Sequence, residues 1–197
     1  IACRPKLLIA DEPTTALDVT IQKQILDLLR DLQKEQGMGL LLITHDLAVV
    51  SGMAQRVALM YAGQIVEVAT AAEFFSAPKH PYAQALLRAL PDADRRGEPL
   101  TAIAGTVPAL TQTFTGCRFA PRCASVMPHC ADTLPALDAL TPTHSVRCLL
   151  YVKGASQTTV RPDRAPAVAA PLGNAQPGAT LLQVKDLRVR FPIRKGF

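Results

Sequence analysis

The run Leu7-Leu8-Ile9-Ala10-Asp11-Glu12-Pro13 constrains this chain most, because an unbroken apolar stretch stops abruptly at two carboxylates and a proline. An apolar run of that length bounded by breakers predicts a buried strand of a parallel sheet. In open α/β sheets, ligands occupy the crevice beyond the carboxyl ends of the strands, so Asp11 and Glu12 are placed to face a ligand. Phosphate chemistry uses such a pair: one carboxylate holds Mg²⁺ while its neighbour orients the attacking water. An acidic pair that merely ends a strand is the competing reading, and the residues downstream separate the two.

A second apolar run, Gly39 to Thr44, matches the first, Lys6 to Ala10, and both are expected to be buried on both faces. Between them Ile21, Ile25, Leu28, Leu29 and Leu32 fall on one helical stripe, with Lys23, Asp27, Arg30, Asp31 and Lys34 on the other faces. Asp18 suits the N-cap region of this helix and Gly37 its C-terminal stop. Strand, helix and strand make a βαβ unit, right-handed by the general rule for parallel crossovers. The second strand ends at His45, which brings an imidazole to the same sheet edge as Asp11 and Glu12. A lone histidine after a Leu-rich strand is otherwise a common polar terminus. Further on, the spacing predicts a short helix over Asp46 to Met53. It also predicts a strand pair, Arg56 to Tyr61 and Gln64 to Val68, turning at Ala62-Gly63.

Residues 7 to 18, LLIADEPTTALD, followed by Leu42-Ile43-Thr44-His45-Asp46, resemble the Walker B motif, D-loop and H-loop of ATP-binding cassette (ABC) ATPases in order and spacing. That resemblance implies Asp11 as the Walker B aspartate supporting Mg-ATP and Glu12 as the general base for the hydrolytic water. It implies Asp18 in a D-loop that communicates across a nucleotide-sandwich dimer, and His45 as the switch histidine touching the γ-phosphate. The stretch Ala77-Pro78-Lys79-His80-Pro81-Tyr82 is similar to the HPY hallmark of the dipeptide, oligopeptide and nickel branch of ABC importers. Pro81 fits the first turn of a helix packed down by Ala85, Leu86, Leu87, Ala89 and Leu90, and His80 and Tyr82 are expected to dock that helix without catalytic duty.

Cys117, Cys123, Cys130 and Cys148 are separated by five, six and seventeen intervening residues in a Pro-rich stretch with few large apolar side chains. So small a unit usually needs a covalent or metal staple. Disulfides, zinc and an iron-sulfur cluster all compete for these thiols. Zinc favours close CxxC pairs, none of which is present. A protein working on cytoplasmic ATP sits where thiols stay reduced. The pattern GCxFxxRC, a third Cys and a distant VRC matches the C-terminal extension of the peptide-importer ATPases, and that resemblance implies a 4Fe-4S cluster, with zinc as the alternative. Arg118, Arg122 and Arg147 are candidates to offset its charge, and His129 and His144 are substitute ligands of lesser weight. Cys3 stands apart as a small buried hydrophobe.

The net charge of +5 misleads, because residues 151 to 197 hold eight Lys or Arg against two Asp. The first 150 residues therefore carry 13 basic and 14 acidic side chains, close to neutrality, and offer no basic face for nucleic acid. No apolar stretch approaches a membrane span, so attachment to a membrane is expected through partner subunits. From Lys153 to Thr180 the chain is rich in Pro, Ala and Gly, the composition of a linker. Leu181 to Phe191 then alternates apolar and polar residues and resembles the opening strand of a second ABC cassette.

The expectation is thus an α/β fold, the C-terminal half of a P-loop ABC nucleotide-binding domain over residues 1 to 90. A Cys-rich extension follows over 91 to 152, a linker over 153 to 180, and the first strand of another cassette over 181 to 197. No GxxxxGK phosphate loop and no LSGGQ-type signature occurs in the sequence. The chain is accordingly expected to be an internal segment of a longer, tandem ATPase and inactive by itself. The resemblance implies ATP-driven import of peptides, with glutathione or nickel as other cargoes, at the cytoplasmic face of the bacterial inner membrane. Its partners would be transmembrane permease subunits, an extracytoplasmic binding protein and a second cassette, with no nucleic acid. A DNA-repair ABC ATPase and a non-catalytic metal-binding scaffold are the alternatives.

Overall fold

The computed structural model describes residues 4–90, 102–152 and 185–186, and the chain divides into two units, residues 1–162 and 163–197. The expected linker and the strand over 181 to 191 lie outside the described residues except for Lys185 and Asp186, as does Cys3. What is described of the first unit is a mixed α/β structure with one parallel and one antiparallel sheet.

Strand β1 (Leu7–Asp11) pairs in parallel with β2 (Gly39–Ile43), Leu7 facing Gly39 and Asp11 facing Ile43. Helix α1 (Val19–Gln36) crosses between them. Its start is fixed by Asp18, whose side chain accepts from the Thr20 and Ile21 amides, and its end by Gly37 at φ 60°, the left-handed C-cap that glycine adopts without a Cβ clash. The strands depart from the expected burial on both faces. Leu8, Leu40 and Leu42 are half-buried, whereas Leu7, Ile9, Leu41 and Ile43 are each about half exposed. Among the described residues this two-stranded sheet meets one crossover helix, which leaves alternate side chains uncovered.

Helix α2 (Leu47–Met53) follows β2 and is capped by Asp46, which accepts from the Ala48 and Val49 amides. Strands β3 (Arg56–Tyr61) and β4 (Gln64–Thr70) form the expected hairpin. Its two-residue turn, Ala62 at φ 46° and Gly63 at φ 75°, matches the right-handed twist of the strands. Helix α3 (Ala71–Ser76) opens on a capping box between Thr70 and Glu73, and α4 (Pro81–Arg88) carries proline in its first turn.

The second sheet extends beyond the hairpin in a way the periodicity did not foretell. Two-residue strands β5 (Asp138–Ala139) and β6 (Ser145–Val146) complete an antiparallel order β3-β4-β6-β5, with Glu67 opposite Val146 and Val68 opposite Ser145. The core runs accordingly from the helices into the cysteine-bearing segment. Val57, Ala69, Phe74 and Ala83 form one cluster with Leu47, Val50 and Leu87. Tyr61, Val66 and Phe119 form another with Tyr82, Cys117 and Cys123, and Met127, Cys130 and Leu149 a third.

Candidate functional site

At the carboxyl edge of the parallel sheet the chain leaves β1 with one more ladder bond, Glu12 N–H to the Ile43 carbonyl at 2.9 Å, and then turns. Glu12 adopts φ 44°, a left-handed conformation costing a residue with a Cβ about 1–2 kcal/mol. The turn is closed by Thr15 N–H to the Glu12 carbonyl, and Ala16 is also left-handed, at φ 63°. Strain of this kind persists where the surroundings over-determine it.

That backbone aims the Glu12 carboxylate across the sheet edge at the end of β2. His45 Nδ1–H donates to Glu12 Oε1 at 3.0 Å, and Thr15 Oγ1–H donates to Glu12 Oε2 at 2.7 Å. An ionised carboxylate only accepts, so the pairing assigns the proton to His45 Nδ1. The hydrogen bond from His45, and then that from Thr15, hold the Glu12 carboxyl below its ordinary value. The same hydrogen bond, followed by the Glu12 charge, raises the His45 imidazole. Both groups stand in solvent, where the pair is weak and open to competition by an incoming ligand. Asp11 is exposed beside them, opposite Ile43. Asp18 lies a turn further on, its Oδ1 occupied by the α1 amides at 2.9 and 3.0 Å. Thr15 had not been singled out from the sequence, although a hydroxyl three residues after a carboxylate is a recurrent side-chain pairing.

The HPY segment is structural. His80 is 1 % exposed and accepts the Tyr82 amide on Nδ1 at 3.0 Å, so an imidazole caps α4. Burial pushes His80 down to about 4, against an opposing hydrogen bond with the Arg147 backbone. Tyr82 packs with Tyr61 and Phe119 at centroid separations of 4.8 and 5.3 Å.

The four cysteines of the extension are free thiols. Cys117 N–H donates to the Cys130 carbonyl at 2.8 Å, because the chain at Gly116 crosses directly over Cys130 and Ala131, where any Cβ would collide with their backbone. The Met127 amide donates to Cys130 Sγ with N···Sγ 3.4 Å. Burial raises Cys117, and lifts Cys123 to about 11 and Cys148 to about 12, with a smaller contribution from the neighbouring thiols. Cys117 and Cys123 pack beside Phe119, and Cys117 and Cys130 with Met127 and Leu149. Among the described residues, however, no three His, Cys, Asp or Glu side chains converge closely enough to hold a metal ion.

One expectation for this region needs correction, that for His144, and the three arginines find backbone partners. Arg118 Nη1 reaches the Ala62 carbonyl, Arg122 the Ala104 and Ile103 carbonyls, and Arg147 those of Ile65 and Pro135, so they staple the extension together and to the hairpin. His144 is no substitute ligand, because its Nε2–H donates to the buried Glu67 carboxylate at 2.7 Å. Glu67 itself was missed. A lone acid inside the run Ile65-Val66-Glu67-Val68 was the available signal, since a charge between buried neighbours demands partners.

Residues 66–130 match the family model of the oligopeptide/dipeptide transporter, C-terminal region. A peptide import ATP-binding protein of Brucella ovis is 51% identical over 157 residues, 77% of this chain and 46% of that relative. The dipeptide transport ATP-binding protein of Escherichia coli is 49% identical over 160 residues (81% of this chain, 49% of the relative). The oligopeptide transport ATP-binding protein of Bacillus subtilis is 50% identical over 159 residues (80% and 48%). The class to which the parallel strands, their acidic and imidazole termini and these alignments point is that of the ABC-type ATP-binding proteins. Within it, the chain belongs to the dipeptide and oligopeptide transporter family, and it spans about half the length of the curated relatives it matches.

Proposed function

We propose that this protein is an ATPase that powers peptide import, and that the edge formed by Asp11, Glu12 and His45 is its hydrolytic half-site. The observation that carries this reading is the 3.0 Å contact between Glu12 and His45, which brings a carboxylate and an imidazole from adjacent parallel strands to one point. Asp11 supports the Mg²⁺ of Mg-ATP. Glu12, ionised, accepts the proton of the water that attacks the γ-phosphate. His45 exchanges its bond to Glu12 for one to the γ-phosphate, so nucleotide binding frees the base as it fills the site. Asp18, at the head of α1, faces a second cassette across the dimer. Phosphoryl transfer needs little more from a protein than such positioning and charge compensation.

Import follows from coupling this closure to membrane partners: permease subunits, supplied with peptide by an extracytoplasmic binding protein, with the ATPase held at the cytoplasmic face of the bacterial inner membrane. Among the described residues no helix is long and apolar enough to cross a membrane. Residues 153 to 180 are a linker to a second cassette opening at Leu181. The test is Glu12→Gln in the intact protein assembled with its permeases. Turnover of Mg-ATP falls by about 10²–10⁴ while nucleotide binding is retained. Retained turnover, or loss of binding equal to the loss of rate, overturns the assignment.

We propose further that Cys117, Cys123, Cys130 and Cys148 hold a 4Fe-4S cluster, as the resemblance of the GCxFxxRC and VRC pattern to the peptide-importer extension implies, with zinc as the alternative. What supports this reading is the shared packing of the thiols, Cys117 and Cys123 around Phe119 and Cys117 and Cys130 with Met127 and Leu149, and that all four are free. When bound, such a group cross-links a segment with little core of its own. Anaerobic purification with iron, sulfide and zinc analysis decides: about four irons per chain are expected, and zinc without iron sinks the assignment.

A further inference from the structure

Cys117, Cys123 and Cys130 lie within one compact segment, but Cys148 returns to them only after seventeen intervening residues, most of them irregular. Loop closure alone leaves such a residue widely distributed. The structure brings it back by gripping its flanks against the β3-β4 hairpin and the start of α4. Ser145 and Val146 pair with β4, and the Arg147 amide donates to the Val66 carbonyl at 2.8 Å. Thr143 Oγ1–H donates to Glu73 at 2.9 Å, and Tyr151 O–H to the Lys79 carbonyl at 2.9 Å.

At the centre of this grip is Glu67, fully buried on β4. One carboxylate oxygen accepts from His144 at 2.7 Å and from the Lys79 amide at 2.8 Å, and the other accepts from the His80 amide at 2.7 Å. The acid therefore clamps two separate stretches at once: the turn that launches α4, and the strand that delivers Cys148 four residues beyond His144. His80, seated by that clamp, caps α4 by accepting the Tyr82 amide.

We propose that Glu67 is the positioning residue for the fourth thiol. Cys148 is set by a carboxylate of the β3-β4 hairpin, outside the cysteine-bearing segment, so the ligand set is complete only while the extension is docked on β4. The proposal rests on reading the four thiols as one ligand set. Its consequence is directional: disturbing the clamp frees Cys148 and leaves in place Cys117 and Cys130, held by their mutual backbone bond at Gly116, and Cys123, held through its amide bond to the Ala120 carbonyl.

The test is thiol-by-thiol alkylation of the intact protein with N-ethylmaleimide, after stripping metal under reducing conditions, read by mass spectrometry at each cysteine. Glu67→Gln is expected to raise the Cys148 rate about tenfold or more, as befits loss of hydrogen bonds to a charged acceptor, with the other three changing less than about twofold. Tyr151→Phe, which removes one bond at the rim and folds regardless, moves Cys148 in the same direction by about two- to threefold. Equal acceleration at all four thiols, or none at Cys148 in both variants, overturns the proposal. In unstripped protein, Glu67→Gln is expected to retain iron but with a larger three-iron signal by electron paramagnetic resonance. Wild-type protein without iron removes the cluster reading alone, and selective release of Cys148 still decides the role of Glu67.

Discussion

Truncating Glu67 to alanine tests the energetics of the buried clamp directly. The carboxylate accepts from three donors, the His80 amide, the Lys79 amide and the His144 ring. The bonds to His80 and His144 are wholly buried, and that to Lys79 is partly so. A buried donor left without an acceptor costs about 1–3 kcal/mol. Two fully buried orphans and one that water can reach therefore sum to about 3–6 kcal/mol, a large share of the 5–15 kcal/mol that holds a typical domain together. The chain has no tryptophan, so the assay is urea unfolding of wild-type and Glu67→Ala protein followed by far-ultraviolet circular dichroism. A double variant, Glu67→Met with His144→Leu, sharpens it. Replacing a buried polar pair by apolar groups commonly restores stability, but here the amides of Lys79 and His80 cannot be mutated away, so recovery is partial. A loss below about 1 kcal/mol for Glu67→Ala, or full recovery in the double variant, refutes the accounting of orphaned donors.

Four other outcomes are set by the geometry. His80 is held down at about 4 by burial, so the unfolded chain binds the extra proton and stability falls as pH drops from 6.5 toward 4. The loss amounts to about 3 kcal/mol, and His80→Asn, which can still cap α4, removes that part of the slope in pH-dependent melting. His45 is raised and Glu12 lowered by their mutual bond, so the pair is intact between their two transitions. It breaks as pH rises through the His45 value above 6.5, or falls through the Glu12 value below 4.5; Glu12→Gln shifts the His45 nuclear magnetic resonance titration back toward 6.5. Asp18→Ala destabilises α1 by about 1 kcal/mol whereas Asp18→Asn keeps the cap, so turnover lost in the Asn variant at unchanged melting temperature would mark a use of the charge beyond capping. Gly116→Ala forces the backbone away from Cys130 and Ala131 and costs about 1–3 kcal/mol in urea unfolding.

Much of the fold and of the first candidate site is legible in local sequence. The two apolar runs, the stripe from Ile21 to Leu32 and the stops at Asp18 and Gly37 specify strand, helix and strand without help from distant residues. Turn chemistry at Ala62-Gly63 specifies the hairpin, and Pro81 the start of α4. Because parallel strands align their ends, the same local pattern dictates that Glu12 and His45 emerge at one edge. The left-handed turn at Glu12 and the Thr15 contact escaped it, since each arises from the way the chain leaves the sheet.

The extension shows the opposite dependence. Its cysteines are obvious in the sequence, but strands of two residues carry no periodicity, so nothing local says that Ser145 and Val146 complete the β3-β4 sheet. Nor does any local pattern reveal that the arginines bind carbonyls or that His144 is claimed by Glu67. Such partners lie as much as 82 residues apart along the chain. Sequence determined the elements and the chemistry available at their ends, because those depend on neighbours a few bonds away. Tertiary structure alone decided which buried polar groups meet, because a desolvated donor or acceptor must find a partner wherever packing places one.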